Sequence, residues 1–147
     1  GAAYTENGVI RYPFEIRGND FFMGDVRSAD ITSNCTTGYH ELPIAVLIGP
    51  VTSSSGTITA IAFKNRPHTQ FIGEATADGY STGNDYYVFG ENLTMNLATT
   101  YFGDRTGVVY KTVVKPDVVI SGKDEFVNLS ADRKVNYALM WLKSIQH

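Results

Sequence analysis

An unbroken apolar run near the middle of the chain most constrains the fold. Residues 43–49 read Pro-Ile-Ala-Val-Leu-Ile-Gly, and Pro50 follows them. A run that is rich in β-branched residues and bounded by Pro and Gly is typical of a strand buried on both faces, in a sheet with parallel strands and helical cover. The run therefore predicts an α/β fold.

The residues after this strand predict a crossover unit. Small residues fill positions 51–56, and apolar side chains then recur at helical spacing over 57–65, which predicts a helix. Pro67 prevents the helix from continuing, and residues 70–73 form a second short strand. We expect this strand–turn–helix–strand unit to cross over with a right-handed sense.

The regions outside this unit carry weaker patterns. Residues 1–41 are expected to form an irregular N-terminal segment with one edge strand at 9–16, which Pro13 weakens. Residues 86–89 and 93–102 alternate around a Gly-Glu-Asn turn, so they predict a hairpin.

The chain ends in a predicted helix. Ser130 or Asp132 caps its N-terminus, since both side chains can accept a hydrogen bond from a free backbone N–H. Lys134 and Lys143 lie outside its apolar face, and that face consists of Val135, Ala138, Leu139, Leu142 and Ile145.

The serine cluster at 53–55 is the strongest candidate for chemistry. It lies between a buried strand and a helix start, where backbone N–H groups lack partners and carry partial positive charge. A hydroxyl there has donors beside it that could hold an oxyanion. Such clusters are more often simple helix caps, and the Gly-x-Ser-x-Gly elbow is not formed because Thr52 stands two residues before Ser54. The residues alone leave both interpretations open.

A longer succession of motifs carries a family resemblance. The segment 42–56 is followed by Gly73-Glu74-Ala75-Thr76-Ala77-Asp78-Gly79, then by a hairpin, by Lys115-Pro116-Asp117 and by a terminal helix. In this order and spacing, residues 42 to 143 resemble the S41 (C-terminal-processing, tail-specific) family of serine peptidases. The resemblance implies a ClpP/crotonase-like layered sheet with short helices. It makes residues 42–147 the C-terminal half of a catalytic domain, with a polypeptide substrate and the upstream half of the same chain as partners.

The resemblance also implies roles for single residues. Ser54 matches the nucleophile, the Ser55 N–H matches one oxyanion donor, and Gly56 keeps the turn tight. Ser53 and Ser55 stay open as rival nucleophiles, because three consecutive serines allow an error of register. Thr76 lies on the loop beside the nucleophile, and with Asn84 it is a candidate for substrate binding.

Several positions depart from the family pattern. Thr57 replaces the usual Glu, and Gly79 stands where one branch of the family has its catalytic Lys, although Lys64 is not excluded by position. The other branch uses a Ser-His-Glu arrangement, whose His lies upstream of these residues. Its Glu falls near Tyr110 and Lys111, where no carboxylate stands. Weak candidates for the orienting group are Asn84, Asp85 and Glu74, and His68 is a weak candidate for the base.

We therefore expect this part of the protein to be inactive alone. Two other functions stay open: a binding module that has lost catalysis and holds a hydrophobic ligand or peptide, and a hydratase-like enzyme that needs oxyanion donors but no serine. No cofactor is implied. The resemblance implies export, as is usual in the family. Gly1 is interpreted as a possible remnant of tag cleavage.

Composition excludes other classes of function. A net charge of −3 and a pI of about 5.5 give no reason to expect nucleic acid or an anionic membrane as partner. No apolar stretch is long enough for a membrane span. Cys35 alone makes no internal disulfide, and three histidines without ligand spacing argue against a metal site. The Asp104-Arg105 pair could bind a substrate carboxylate, but it is interpreted as a surface turn with a weak ion pair.

Overall fold

The computed structural model describes residues 1–5, 7–17, 20–30 and 41–145, which form a mixed α/β domain with two helices and two sheets. The strands are β1 (Ala2–Tyr4), β2 (Ile10–Arg17), β3 (Asp20–Met23), β4 (Val26–Asp30), β5 (Ile44–Ile48), β6 (Thr69–Gly73), β7 (Thr82–Phe89), β8 (Leu93–Gly103) and β9 (Val118–Val119). The helices are α1 (Ser55–Phe63) and α2 (Arg133–Ser144), and a short 3-10 turn, Leu129–Ala131, precedes α2.

The predicted order of strand, turn, helix and strand is confirmed. Strands β5, β6 and β9 form a parallel sheet in that order, with Ile44 opposite Thr69 and Ile48 opposite Gly73. Helix α1 connects β5 to β6 and begins at Ser55, two residues before the predicted start. The carboxyl ends of β5 and β6 therefore lie side by side. The serine turn follows the end of β5.

The other sheet has six antiparallel strands in the order β4-β3-β2-β1-β8-β7. Its β7–β8 hairpin was predicted, although β7 begins at Thr82, earlier than the alternation indicated. Phe14 of β2 packs at ring-centroid distances of 5.5 Å from Phe102 and 6.3 Å from Phe21. These rings tie the N-terminal strands to β8.

The expectation of an irregular N-terminal segment was wrong for residues 2–30, which hold four strands. The strand predicted at 9–16 is present as β2, but it lies between β1 and β3 and is not an edge strand. Strand β1 pairs with β2 and also with β8, so that Ala2 lies opposite both Pro13 and Gly103. The partner strand β8 lies about a hundred residues away in sequence, and no local pattern reports such a pairing. The prediction for residues 31–40 lies outside the described residues.

The core lies where α1 meets the parallel sheet, and it consists of Ile48, Ala60, Ile61, Phe71 and Val114. The prediction that β5 is buried on both faces holds only in part. Within the described residues β5 is an edge strand, and Leu47 is 41% exposed. One side of this apolar strand is therefore uncovered in the chain as described.

Helix α2 is capped by Asp132 and not by Ser130. The Asp132 carboxylate accepts from the N–H groups of Lys134 (2.8 Å), Val135 (3.0 Å) and Glu125 (2.9 Å). On the predicted apolar face only Ala138 is buried, and Leu139 is exposed. Among the described residues neither helix is long and apolar enough to cross a membrane.

Replacing Asp132 by Ala tests this cap. Because three N–H donors lose their acceptor, we expect Asp132→Ala to lower the free energy of unfolding by about 1–2 kcal/mol. Ser130→Ala is the matched control: the exposed Ser130 hydroxyl donates only to Asn128 Oδ1, and its loss should change stability by less than about 0.5 kcal/mol. Urea unfolding measures both, and equal effects would contradict the assignment of the cap.

Candidate active site

The turn between β5 and α1 is held by its threonines. The Thr52 N–H donates to the Gly49 carbonyl (2.8 Å), and the Gly49 N–H donates back to Thr52 Oγ1 (3.1 Å). The hydroxyl of Thr57, which is fully buried, donates to the Thr52 carbonyl (3.2 Å). The turn is thus fixed without using the side chains of the three serines.

Within this turn Ser54 has an unusual backbone conformation, with φ 50° and ψ −122°. Among the described residues, Asn65 and His68 are the other non-glycine residues with positive φ, but both are residue types that adopt it readily. The Ser54 side chain makes no capping hydrogen bond and is exposed. A strained residue that the surrounding structure holds in place is typical of active sites, and a serine on a sharp strand-to-helix turn presents its hydroxyl outward.

The backbone donors of the turn distinguish Ser55 from Gly56. The N–H of Gly56 donates to the Ser53 carbonyl (2.9 Å), so it is already occupied. The Ser55 N–H has no hydrogen-bond acceptor within the described part of the chain. This N–H, which directly follows Ser54, therefore remains available to an oxyanion. A Cβ on Gly56 would lie 3.6 Å from Thr52 Cγ2, an ordinary contact, so the turn itself does not require glycine there.

The loop after β6 lies directly against this turn. Gly73 has φ 124°, and a Cβ there would lie 2.1 Å from the Ile48 carbonyl oxygen. The Glu74 N–H donates to that same oxygen (3.1 Å), and the Ala77 N–H donates to the Thr52 carbonyl (3.0 Å). The structure thus brings the Gly73–Ala77 loop beside Ser54, with glycine required at the point of closest approach.

The two candidates for substrate binding lie in different settings. Thr76 is buried, and its Oγ1 accepts from the Val114 N–H (2.9 Å), which favours a role in holding the loop. Asn84 is exposed on β7, and its Oδ1 accepts from the Thr82 hydroxyl (3.4 Å). No hydrogen bond within the described residues joins Asn84 to the serine turn. Its role stays a prediction.

The two basic candidates lie away from Ser54. Lys64 follows the opposite end of α1, whose nine residues span about 13 Å. Its Nζ donates to the Lys115 carbonyl (2.9 Å) and lies 3.9 Å from the centroid of the Phe71 ring. His68 is exposed just before β6, at the amino end of the parallel strands, opposite the end that carries the serines. The structure removes both as proton acceptors for Ser54, while His40, His147 and Cys35 lie outside the described residues.

In the family pattern an orienting carboxylate falls near Tyr110. The carboxylate that contacts Tyr110 here is that of Asp104, and its role is structural. Asp104 was interpreted as part of a surface turn, but it is 2% exposed. Burial acts to raise its pKa, yet hydrogen bonds from Thr106, Tyr110 and Val108 outweigh burial and keep the pKa below its ordinary value. The donors to the carboxylate are Asn65 Nδ2, Thr106 N and Oγ1, Val108 N and the Tyr110 hydroxyl. A carboxylate so fully occupied has no capacity left to orient a base.

Sequence reasoning missed Lys134. Its position in the helical pattern placed it outside the apolar face, but the structure buries it to 5% exposure behind the turn. Its Nζ donates to Asp124 Oδ1 (2.6 Å) and lies 3.6 Å from Glu74 Oε2. No group of three or more potential metal ligands occurs among the described residues.

Fold and turn together define an α/β domain that presents a strained serine beside a free backbone N–H. The model of Peptidase family S41 matches residues 15–120, and the chain belongs to this family. It is 28% identical over 142 residues to the nisin-resistance protein of Lactococcus lactis subsp. lactis, an alignment that covers 96% of this chain and 40% of that protein. It also resembles the solved structure of a lipoprotein from Streptococcus agalactiae, with a TM-score of 0.55 and 32% identity, over 69% of this chain and 32% of that one. The chain thus spans less than half the length of either relative.

Replacing Gly73 by Ala tests the contact between loop and turn. The new Cβ meets the Ile48 carbonyl and the residue keeps a strained φ, so we expect a loss of stability of about 3 kcal/mol or more. Gly79→Ala is the matched control: Gly79 has φ 77° with open space around it, and the strain alone should cost about 1 kcal/mol. Thermal and urea unfolding compare the two variants. Equal losses would show that strain, and not the close approach, explains Gly73.

Replacing Asp104 by Asn tests its charge. Since its folded pKa lies below the ordinary 3.8, its stabilisation is complete above the unfolded value and is lost as pH falls through the folded pKa. Asp104→Asn should be less stable by about 2 kcal/mol at pH 7, and this difference should shrink below about pH 4. Urea unfolding at pH 7 and pH 3 measures it, and a difference that does not change with pH would contradict the assignment.

Proposed function

We propose that the complete protein is a serine peptidase and that Ser54 is its nucleophile. The observation that carries this proposal is the backbone of Ser54, which is strained, exposed and placed beside the unoccupied Ser55 N–H. Ser53 and Ser55 are not among the described non-glycine residues with positive φ, and Ser55 is already part of helix α1. Membership of Peptidase family S41 supports the reaction class.

The mechanism is acyl transfer. Ser54 Oγ attacks the peptide carbonyl carbon while a base takes its proton, and the carbonyl oxygen becomes an oxyanion held by the Ser55 N–H and a second, upstream donor. The C–N bond then breaks, and the base gives its proton to the departing amine. Water attacks the acyl-enzyme and releases the acid, which restores Ser54. These steps need no cofactor.

The base and the second donor come from the upstream part of the protein. Lys64 and His68 lie away from Ser54, and Lys134 is held as a cation between carboxylates. The apolar edge strand β5 also needs a cover: a groove of about 550 Å³ runs along it beside α1 and reaches Ser55 and Gly56. We assign this cover to the upstream half, which would complete a ClpP/crotonase-like layered domain in which residues 42–147 are the C-terminal half. The present chain alone is then inactive.

The substrate is a polypeptide. Members of the family recognise substrates near the C-terminus of the substrate, and we extend this property to the present protein. The similarity to a nisin-resistance protein makes nisin one candidate substrate to assay. By the same analogy with the family, we propose that the enzyme is exported.

A catalytically inactive binding module is the second candidate. The observation that favours it is the lack of a base near Ser54 among the described residues. It predicts peptide binding by the complete protein without hydrolysis, and the serine variants below separate it from the peptidase.

Replacing the three serines one at a time tests the peptidase. In the complete protein, Ser54→Ala should lower kcat by about four orders of magnitude or more, because removing a nucleophile removes nearly all of the chemistry. Ser53→Ala and Ser55→Ala are matched controls in the same turn, and both should keep kcat within about tenfold. The assay is hydrolysis of an unfolded protein and of nisin, with the folded fraction checked by circular dichroism.

The pattern of the three variants decides between the proposals. Loss of activity in Ser53→Ala or Ser55→Ala, with Ser54→Ala active, would move the nucleophile by one residue. A folded wild-type protein that binds both substrates and hydrolyses neither would favour the binding module.

A further inference from the structure

Lys134 is a buried cation in an unfavourable position. It is 5% exposed and lies in the first turn of α2, where the helix dipole disfavours positive charge. Burial alone would lower its pKa, but the hydrogen bond to Asp124 and the charges of Asp124, Glu74 and Asp132 more than offset burial and raise it. The side chain is therefore a fixed positive charge inside the fold.

This charge joins segments that are distant in sequence. Asp124 belongs to the segment before α2, and its Oδ1 accepts from Lys134 Nζ at 2.6 Å. Glu74 belongs to the loop after β6, and its Oε2 lies 3.6 Å from the same nitrogen. Without the cation the two carboxylates, which are partly buried, would lose the positive charge that both of them contact.

The Lys134 side chain also lies against the ends of both strands that lead into the site. A Cβ on Gly49 would lie 3.4 Å from Lys134 Nζ, and a Cβ on Gly73 would lie 3.4 Å from Lys134 Cδ. Gly49 opens the turn to Ser54, since it exchanges two hydrogen bonds with Thr52. At both strand ends the lysine side chain therefore lies within ordinary van der Waals reach of the backbone.

A short path of contacts connects Lys134 to the nucleophile. Lys134 holds Glu74, whose N–H donates to the Ile48 carbonyl at the end of β5. The same loop donates from the Ala77 N–H to the Thr52 carbonyl, two residues before Ser54. Release of the Glu74 side chain would remove one of the contacts that hold this loop against the turn, beside its backbone hydrogen bonds.

From these contacts we infer that Lys134 is a positioning residue for Ser54, acting through Gly49 and the Glu74 loop without touching substrate. The inference rests on the proposed peptidase function. A displacement of the nucleophile by about an ångström is enough to cost up to about a hundredfold in rate. It should lower kcat more than it changes KM, because substrate binding does not use this side chain.

The test compares lysine variants in the complete protein. Lys134→Met should lower kcat between about tenfold and a hundredfold, with KM changed less than about threefold. Lys134→Arg keeps the charge and should recover at least about a third of the lost activity. Lys64→Met is the matched control: it removes another partly buried lysine from the same sheet-and-helix unit, at the far end of α1, and should leave kcat unchanged.

Glu74→Gln keeps the pair of Lys134 and Asp124, so it tests the inference even if Lys134→Met does not fold. It should lower kcat by about fivefold or more at temperatures where unfolding melts show the variant folded. A kcat equal to wild type in folded Lys134→Met or folded Glu74→Gln would overturn the inference. Failure of the proposed function gives a different result: hydrolysis would survive in Ser54→Ala.

Discussion

The close approach of the Gly73 loop to the end of β5 is the contact on which the site depends. The Ile48 carbonyl receives the Glu74 N–H at a place where no side chain fits on residue 73. Parallel pairing of β5 with β6 brings these two strand ends together. The turn to Ser54 then begins from a backbone that is already fixed, so the strained serine is held by its neighbours and not by its own side chain.

Two buried charges stabilise different parts of this arrangement. Asp104 is an anion satisfied by five donors, and it ties the segment after β8 to Asn65 beyond α1. Lys134 is a cation between two carboxylates, and it ties α2 to the strand ends. Buried charges persist only where partners compensate for lost hydration. Each therefore fixes the position of several segments at once, and only the Lys134 cluster contacts the strand ends at the candidate site.

The sequence predicted the parts of the fold that local patterns encode. The apolar run gave β5, the helical spacing gave α1, and the terminal helix was found with two possible caps. Of the first four strands it predicted β2 alone, and as an edge strand, because the order of this sheet depends on β1 pairing with β8 across about a hundred residues. It also placed Lys134 outside the apolar face and Asp104 on the surface, since burial of a charge depends on partners that are distant in the chain. The motif succession led to Ser54, but only coordinates could show its φ and the free Ser55 N–H.

The most direct test of the account is to find which serine reacts. The complete, folded protein is treated with a fluorophosphonate, which forms a stable phosphonyl ester with a nucleophilic serine, and the peptide that spans residues 50–64 is sequenced by mass spectrometry. The account predicts one adduct, on Ser54, together with loss of peptide hydrolysis. An adduct on Ser53 or Ser55, or complete loss of hydrolysis with Ser54 unmodified, would contradict it.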